Sequence, residues 1–333
     1  MANILVTGSG GQLGSELRRI VEYVPINHNF FFTDVAELDI TCGAAVEDFI
    51  AGNSIDLVIN CAAYTNVDRA EEPENRDAVY RLNAEAPALL ASCVRHRGGA
   101  IIHISTDYVF GGVASEPYRE GPAGLPARSV YGESKRQGEL GVVSACPDFV
   151  IVRTAWLYSS FGHNFVKTVL RLAGERDLMS VVDDQRGSPT YARDLAGALL
   201  TIAGKVICYA GERKKSAPTG AHAQTGASAQ IGESTQTETY GLSGVTEEEC
   251  APWGYYHYSN GGECTWFELA SEIVKINNLS MRVVPVTSDQ YPSKVARPAY
   301  SVLDKSKIIS KFGLVIPDWR DSLRDCLSVI GVK

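Results

Sequence analysis

Thr7-Gly8-Ser9-Gly10-Gly11-Gln12-Leu13-Gly14 follows a short apolar run at residues 4–7 and opens an amphipathic stretch at 12–24. Gly8, Gly11 and Gly14 carry Gly-x-x-Gly-x-x-Gly spacing. Between a strand and a helix, the first glycine permits the tight turn and the second lets backbone approach a pyrophosphate. The third lets helix and sheet pack closely. The helix N-terminus then offers free N–H groups and the positive end of its dipole to phosphate. Gly8, Gly10, Gly11, Gln12 and Leu13 are therefore the expected dinucleotide contacts. A plain flexible turn would account for the glycines but not for their strand-to-helix setting.

Outward from this turn, short apolar runs at 30–33, 57–60, 100–105 and 149–153 alternate with helix-like stretches at 44–51, 75–97 and 131–145. Strands separated by helices imply right-handed βαβ units and a parallel sheet, whose two covered faces make its strands read as continuously apolar. Beyond Arg153 the rhythm loosens. Helices are expected at 164–174, 192–203, 265–277 and 319–330, with strands at 178–182, 256–259 and 282–285. The fold class expected is α/β: a doubly wound parallel sheet of Rossmann type with a smaller C-terminal α/β substrate lobe. Residues 1–155, with parts of 185–205, form the NAD(P)-binding domain, and 156–333 mainly the lobe. The segment at about 211–250 is rich in Ser, Thr, Gly, Ala, Gln and Glu and poor in large apolar side chains. It reads as a low-complexity surface insertion, because it buries too little to offset its ordering entropy.

A formal net charge of -8 gives a nucleic-acid partner no electrostatic support, although a small anionic ligand remains compatible. Eight cysteines without a Cys-x-x-Cys pair fit neither a zinc site nor a dense disulfide framework. The N-terminus lacks the features of a signal peptide, and no apolar run approaches the roughly 18 residues that cross a membrane. The chain reads as cytoplasmic, without a membrane partner.

Ser105-Thr106-Asp107-Tyr108-Val109-Phe110 ends the fourth strand, and Tyr131-Gly132-Glu133-Ser134-Lys135 follows near the start of a helix. Tyr131 and Lys135 stand one turn apart on one face. An ammonium beside the phenol would lower its pKa from the ordinary value of about 10, tuning Tyr131 for proton transfer. Thr106 is placed to hydrogen-bond a reacting carbonyl. Tyr-x-x-x-Lys alone also describes an ordinary helix with a solvated lysine; the reading rests on its combination with the glycine turn.

The cofactor's 2′ position is less determined. Asp34, just after the second strand, suits the ribose diol of NAD, whereas Arg18 and Arg19 would serve a 2′-phosphate unless they lie on a solvated helix face. NADH and NADPH both stay open. Asp39 and Ile40 precede a helix, where an Asp also makes a good N-cap.

These stretches, with Asn60-Cys61-Ala62-Ala63-Tyr64-Thr65-Asn66-Val67-Asp68, Arg153-Thr154-Ala155-Trp156-Leu157-Tyr158 and Arg297-Pro298, resemble the extended short-chain dehydrogenase/reductase family and, within it, the dTDP-4-dehydrorhamnose reductase branch. The resemblance spans nearly the whole chain apart from the insertion. It implies Thr106, Tyr131 and Lys135 as the catalytic threonine, tyrosine and lysine. NADPH or NADH would be the hydride source and a dTDP-linked 4-keto-deoxysugar the partner. It also implies Asp39 and Ile40 as adenine contacts, and Ala62, Ala63 and Tyr64 as a strand end facing the cofactor.

In the lobe, Trp156 is suited to stack on a sugar, though a core tryptophan is an equal reading of the residue alone. Asp107 and Tyr108 join Thr106 as candidate substrate contacts, and Arg186 or Arg297 would neutralise a diphosphate unless they are solvated surface residues. His163 and His257 lack metal-ligand spacing and read as structural. The resemblance also leaves room for a homodimer with Mg2+ at its interface. Glu16 is the one glutamate that matches, and no complete ligand set is placed. A nucleotide-sugar epimerase or dehydratase of the same fold, and a non-catalytic NADP-binding regulatory subunit, are the alternatives.

Overall fold

A computed structural model describes residues 1–124, 127–216, 251–291 and 293–331. Strands β1 (Asn3–Thr7), β2 (Asn29–Thr33), β3 (Leu57–Asn60), β4 (Ala100–Thr106) and β5 (Phe149–Thr154) form one parallel sheet with a sixth strand, Gly254–His257. From one edge the order is β2, β1, β3, β4, β5 and then the sixth strand. The direction of winding reverses between β1 and β3, which opens a crevice at the C-terminal ends of these strands.

Side chains alternate between two covered faces. Ile4, Val6, Leu57, Ile59, Ile102 and Val152 pack under helices α1 (Gln12–Tyr23) and α8 (Ala192–Ser216). Leu5, Val58, Ile101 and Ile151 pack on the other face under α2 (Gly43–Gly52), α5 (Ala86–His96) and α6 (Val130–Ala145). Burial on both faces is why period-2 alternation is invisible in these strands.

Three elements depart from the sequence reading. The strand expected at 256–259 within the lobe is instead the sixth strand of the main sheet, paired with β5 through Tyr255↔Ile151 and Tyr256↔Val152. Tyr255 packs on one face and Tyr256 on the other, so the main core claims this short run. Ile308 and Phe312 join the same core; the packing therefore crosses the boundary expected at residue 156.

The helix expected at 192–203 continues to Ser216, into the start of the expected insertion; the remainder of that insertion, 217–250, lies outside the described residues. The stretch Ala192–Arg213 is long and apolar enough to cross a membrane by length and composition. Its Leu195, Leu199, Ile202 and Val206 are nonetheless buried against the sheet, as in a core helix.

The helix expected at 75–97 is broken. A short helix α4 (Arg76–Tyr80) passes through a π-helical turn, Arg81–Glu85, into α5. Pro87 has no N–H to donate to the Asn83 carbonyl, so the ladder widens there.

The smaller lobe has its own core, built from Val166, Val169, Leu269, Ile273, Trp319 and Leu323. It contains α7 (Phe165–Ala173), helices Trp266–Ile276 and Trp319–Ile330, and the parallel pair Leu178–Val182 with Arg282–Val286.

Candidate active site

A cavity of about 910 Å³ runs from the glycine turn across the switch point to Trp156. At the turn, Gly8 has φ +66°, and a Cβ there would lie 2.7 Å from the Ala62 backbone. The turn after β1 and the end of β3 thus touch where only glycine fits. Gly11 caps α1 without any side-chain cap, so the first helical amides are not claimed by a capping side chain. Gly8, Gly11, Gln12, Leu13 and Gly14 line the cavity. Gly10 does not; its N–H donates to Asp34 Oδ2 at 2.9 Å. These features fit a dinucleotide pyrophosphate.

Asp34, Asp39, Ile40, Ala62 and Ala63 also line the cavity, but Tyr64 is not among its lining residues. Asp39 is not an N-cap. It accepts from the backbone N–H and the hydroxyl of Thr41, and the latter bond first holds its carboxyl below the ordinary range. Arg18 donates to Ser9 Oγ at 3.0 Å and lies over the Phe32 ring, so it serves the turn rather than standing free on a helix face.

Thr106, Tyr131 and Lys135 line the centre of the same cavity. Ser129 caps α6 through the Gly132 N–H. Asn83 locks the helix in place: its amide accepts from Tyr64 N–H and donates to Tyr64 O and Ser134 Oγ. Ser134 Oγ in turn donates to the Tyr131 carbonyl at 2.8 Å. The π-helical turn supplies this buried Asn, which the sequence reading passed over because nothing but a polar residue amid a helix marks it.

The electrostatics differ from expectation. Burial pushes the Tyr131 phenol above its ordinary value, opposed by a hydrogen bond with Thr106. The Lys135 ammonium does not act as the expected counterweight. Its Nζ is turned inward, donating to the Ile104 carbonyl at 2.7 Å and lying 3.3 Å from His103 Nε2. Burial brings Lys135 down to about 8. Burial thus favours the protonated phenol.

Asp107 is buried with its Oδ1 accepting from the Thr106 hydroxyl at 2.9 Å, and burial pushes it up to about 6. The Tyr108 ring meets the Tyr131 ring edge-on at 5.5 Å.

Trp156 lines the far end of the cavity with φ +48°, a left-handed conformation that a bulky residue seldom adopts. Trp266 stacks on it with centroids 3.7 Å apart, and Gly187 lies so close that a Cβ would be 2.6 Å from its indole. His163, expected to be structural, lines the mouth. His257 is packed inside, near Arg153 and the Tyr118 carbonyl.

Neither Arg186 nor Arg297 lines the cavity. Arg186 faces Glu263 and Glu268, and Arg297 pairs with Asp68 at 3.0 Å. Glu16 is wholly buried; its Oε1 accepts from Ser159 Oγ at 2.6 Å, and its Oε2 has no hydrogen-bond partner among the described residues. Among the described residues no group of three or more His, Cys, Asp or Glu is placed to hold a metal.

A glycine turn at the switch point, with Thr106, Tyr131 and Lys135 at the same cavity, defines an NAD(P)-dependent oxidoreductase of the short-chain dehydrogenase/reductase type. A family model described as RmlD substrate binding domain matches residues 1–217 and 222–331, and the chain belongs to that family. It is 35% identical to a dTDP-4-dehydrorhamnose reductase of Aggregatibacter actinomycetemcomitans, over 98% of each chain. It is also 35% identical to a probable dTDP-4,6-dihydroxy-2-methyloxan-3-one 4-ketoreductase of Streptomyces antibioticus, covering 96% of this chain and 93% of that one. The solved dTDP-4-dehydrorhamnose reductase of Bacillus anthracis, in complex with NADP, superposes with a TM-score of 0.81 at 32% identity, over 99% of this chain and 100% of that one.

Proposed function

We propose that the chain reduces the 4-keto group of dTDP-4-dehydro-L-rhamnose to dTDP-L-rhamnose at the expense of NAD(P)H, with Tyr131 as proton donor. The observation that carries this reading is the single cavity joining the glycine turn to Thr106, Tyr131 and Trp156. When bound there, NAD(P)H supplies hydride. The amides of Gln12 and Leu13 would hold its pyrophosphate, Asp39 and Ile40 would border its adenine, and Lys135 would hold the nicotinamide ribose. Thr106 hydrogen-bonds the substrate carbonyl and Tyr131, protonated through burial, delivers the proton to its oxygen. Asp107 and Tyr108 flank that oxygen, and Trp156 packs on the sugar. The enzyme is read as cytoplasmic, with a small dTDP-sugar rather than nucleic acid as its partner, in keeping with its net charge of -8.

The test is coenzyme oxidation at 340 nm with dTDP-4-dehydro-L-rhamnose and NADPH or NADH in parallel. Stoichiometric consumption, lost in Tyr131→Phe, is the expected result. Protein that binds coenzyme but consumes none would overturn the reading in favour of an epimerase or a regulatory subunit.

A further inference from the structure

Below the cavity, a file of fully buried polar side chains crosses the sheet. The strand register puts Thr7 beside Asn60 and Asn60 beside His103. Thr7 Oγ1 donates to Asn60 Oδ1 at 2.7 Å, Asn60 Nδ2 lies 3.1 Å from His103 Nδ1, and His103 Nε2 lies 3.3 Å from Lys135 Nζ. The file ends where the Lys135 amine donates to the Ile104 carbonyl.

One backbone amide orients the whole file. Ala62 N–H, which only donates, reaches Asn60 Oδ1 at 3.2 Å. The Asn60 NH2 group must then face His103 Nδ1, which accepts. A neutral imidazole with Nδ1 accepting carries its proton on Nε2. His103 is neutral, because burial holds its pKa well below 6.5. Its Nε2–H consequently points at Lys135 Nζ.

An ammonium has three donors and no acceptor. Protonated Lys135 would set donor against donor across 3.3 Å, whereas the neutral amine accepts the Nε2–H. Reversing Asn60 only moves the conflict to Ala62 N–H. A buried conflict of this kind costs about 1–3 kcal/mol.

We infer that His103, oriented by Asn60, is a positioning residue that biases Lys135 toward its neutral amine and so sets the pH at which the site changes protonation state. The inference rests on the reductase reading for its kinetic consequence only. Burial acts on Lys135 in the same direction, bringing it to about 8, and is opposed by Glu139 and Cys61. Glu139, on the same helix, is already engaged by Arg153, and the Cys61 thiol is held up at about 12 by burial. Tyr131 and Asp107 line the same cavity as Lys135.

Two measurements test this. In 15N-histidine NMR of the free protein, the His103 ring is expected as the Nε2–H tautomer from pH 6 to pH 9. The Nδ1–H tautomer, or an imidazolium at pH 6, would overturn the inference whatever the activity. Next, His103→Gln offers Lys135 an amide oxygen that accepts from an ammonium. The ionisation of Lys135 in the kcat/KM profile is expected to move up by at least one pH unit, a tenfold change in proton affinity. An unshifted profile in a folded, active variant overturns it. Should the variant fail to fold, the histidine tautomer in the unaltered protein decides.

Discussion

Arg153 on β5 and Glu139 on α6 meet in a bidentate ion pair, Nε to Oε1 at 2.7 Å and Nη2 to Oε2 at 2.6 Å, with 0% and 2% of their side chains exposed. The guanidinium also donates to the Gly121 carbonyl and lies over the rings of Phe110 and Tyr255. This single cation ties the helix that carries Tyr131 and Lys135 to the sheet and to the loop after Phe110. Removing one partner leaves a buried charge uncompensated, a loss of about 3–5 kcal/mol. Glu139→Gln should lower unfolding stability by that amount in urea titration. A Glu139→Leu/Arg153→Met double variant should recover most of it; equal losses for both would refute this account.

Gly14 packs against the backbone of the turn it follows. A Cβ there would lie 2.6 Å from Ser9 Cα and would run into the Gly8 carbonyl oxygen. Gly14→Ala must open the turn, at about 1–3 kcal/mol for such overpacking. Coenzyme affinity, followed by fluorescence titration, should fall roughly 5- to 150-fold at that cost. Gly204→Ala is the control. That glycine is exposed on α8, nothing lies within 4 Å of its would-be Cβ, and alanine there should stabilise by about 0.5–1 kcal/mol.

The Trp156–Trp266 stack holds a tryptophan in an unfavourable backbone conformation at the cavity wall. An aromatic pair of this kind contributes about 0.5–1.5 kcal/mol beyond burial. Trp266→Ala should raise KM for the keto sugar about 2- to 10-fold while leaving coenzyme affinity unchanged. A change confined to coenzyme binding would show that the stack supports the wrong end of the cavity.

Asp107 gives the protein a pH-dependent stability. Burial raises its pKa from 3.8 to about 6, so the folded state holds this proton more tightly than the unfolded chain. The stabilisation is complete below pH 3.8 and is lost as pH rises through about 6. At roughly 1.4 kcal/mol per unit it amounts to about 3 kcal/mol. Asp107→Asn, which does not titrate, should gain stability relative to the parent by about that much between pH 4 and pH 7. A constant difference in unfolding free energy across that range would contradict the assignment.

Much of this architecture is legible from local chemistry. The turn at Gly8, Gly11 and Gly14, the continuous apolar runs of β1 to β5, and the one-turn spacing of Tyr131 and Lys135 each depend on residues close in the chain. Once the strand order is set, the single hand of βαβ connections decides which face each helix covers. The tyrosine's missing cation was not legible. Spacing on a helix puts Lys135 on the same face as Tyr131, but where its amine points depends on His103 and Ile104, contributed by β4.

The sequence by itself therefore determined the class of fold, the position of the phosphate-binding turn and the residues that gather at the reaction centre, because strand, turn and helix preferences are short-range. Only the tertiary structure decided which sheet took Gly254–His257, that Arg186 pairs with Glu263 and Arg297 with Asp68, and that Trp266 braces Trp156. It also decided how far burial moves Tyr131, Lys135 and Asp107 from their ordinary titration ranges. Those outcomes depend on burial and on partners tens to hundreds of residues away, and neither is a property of any local stretch of chain.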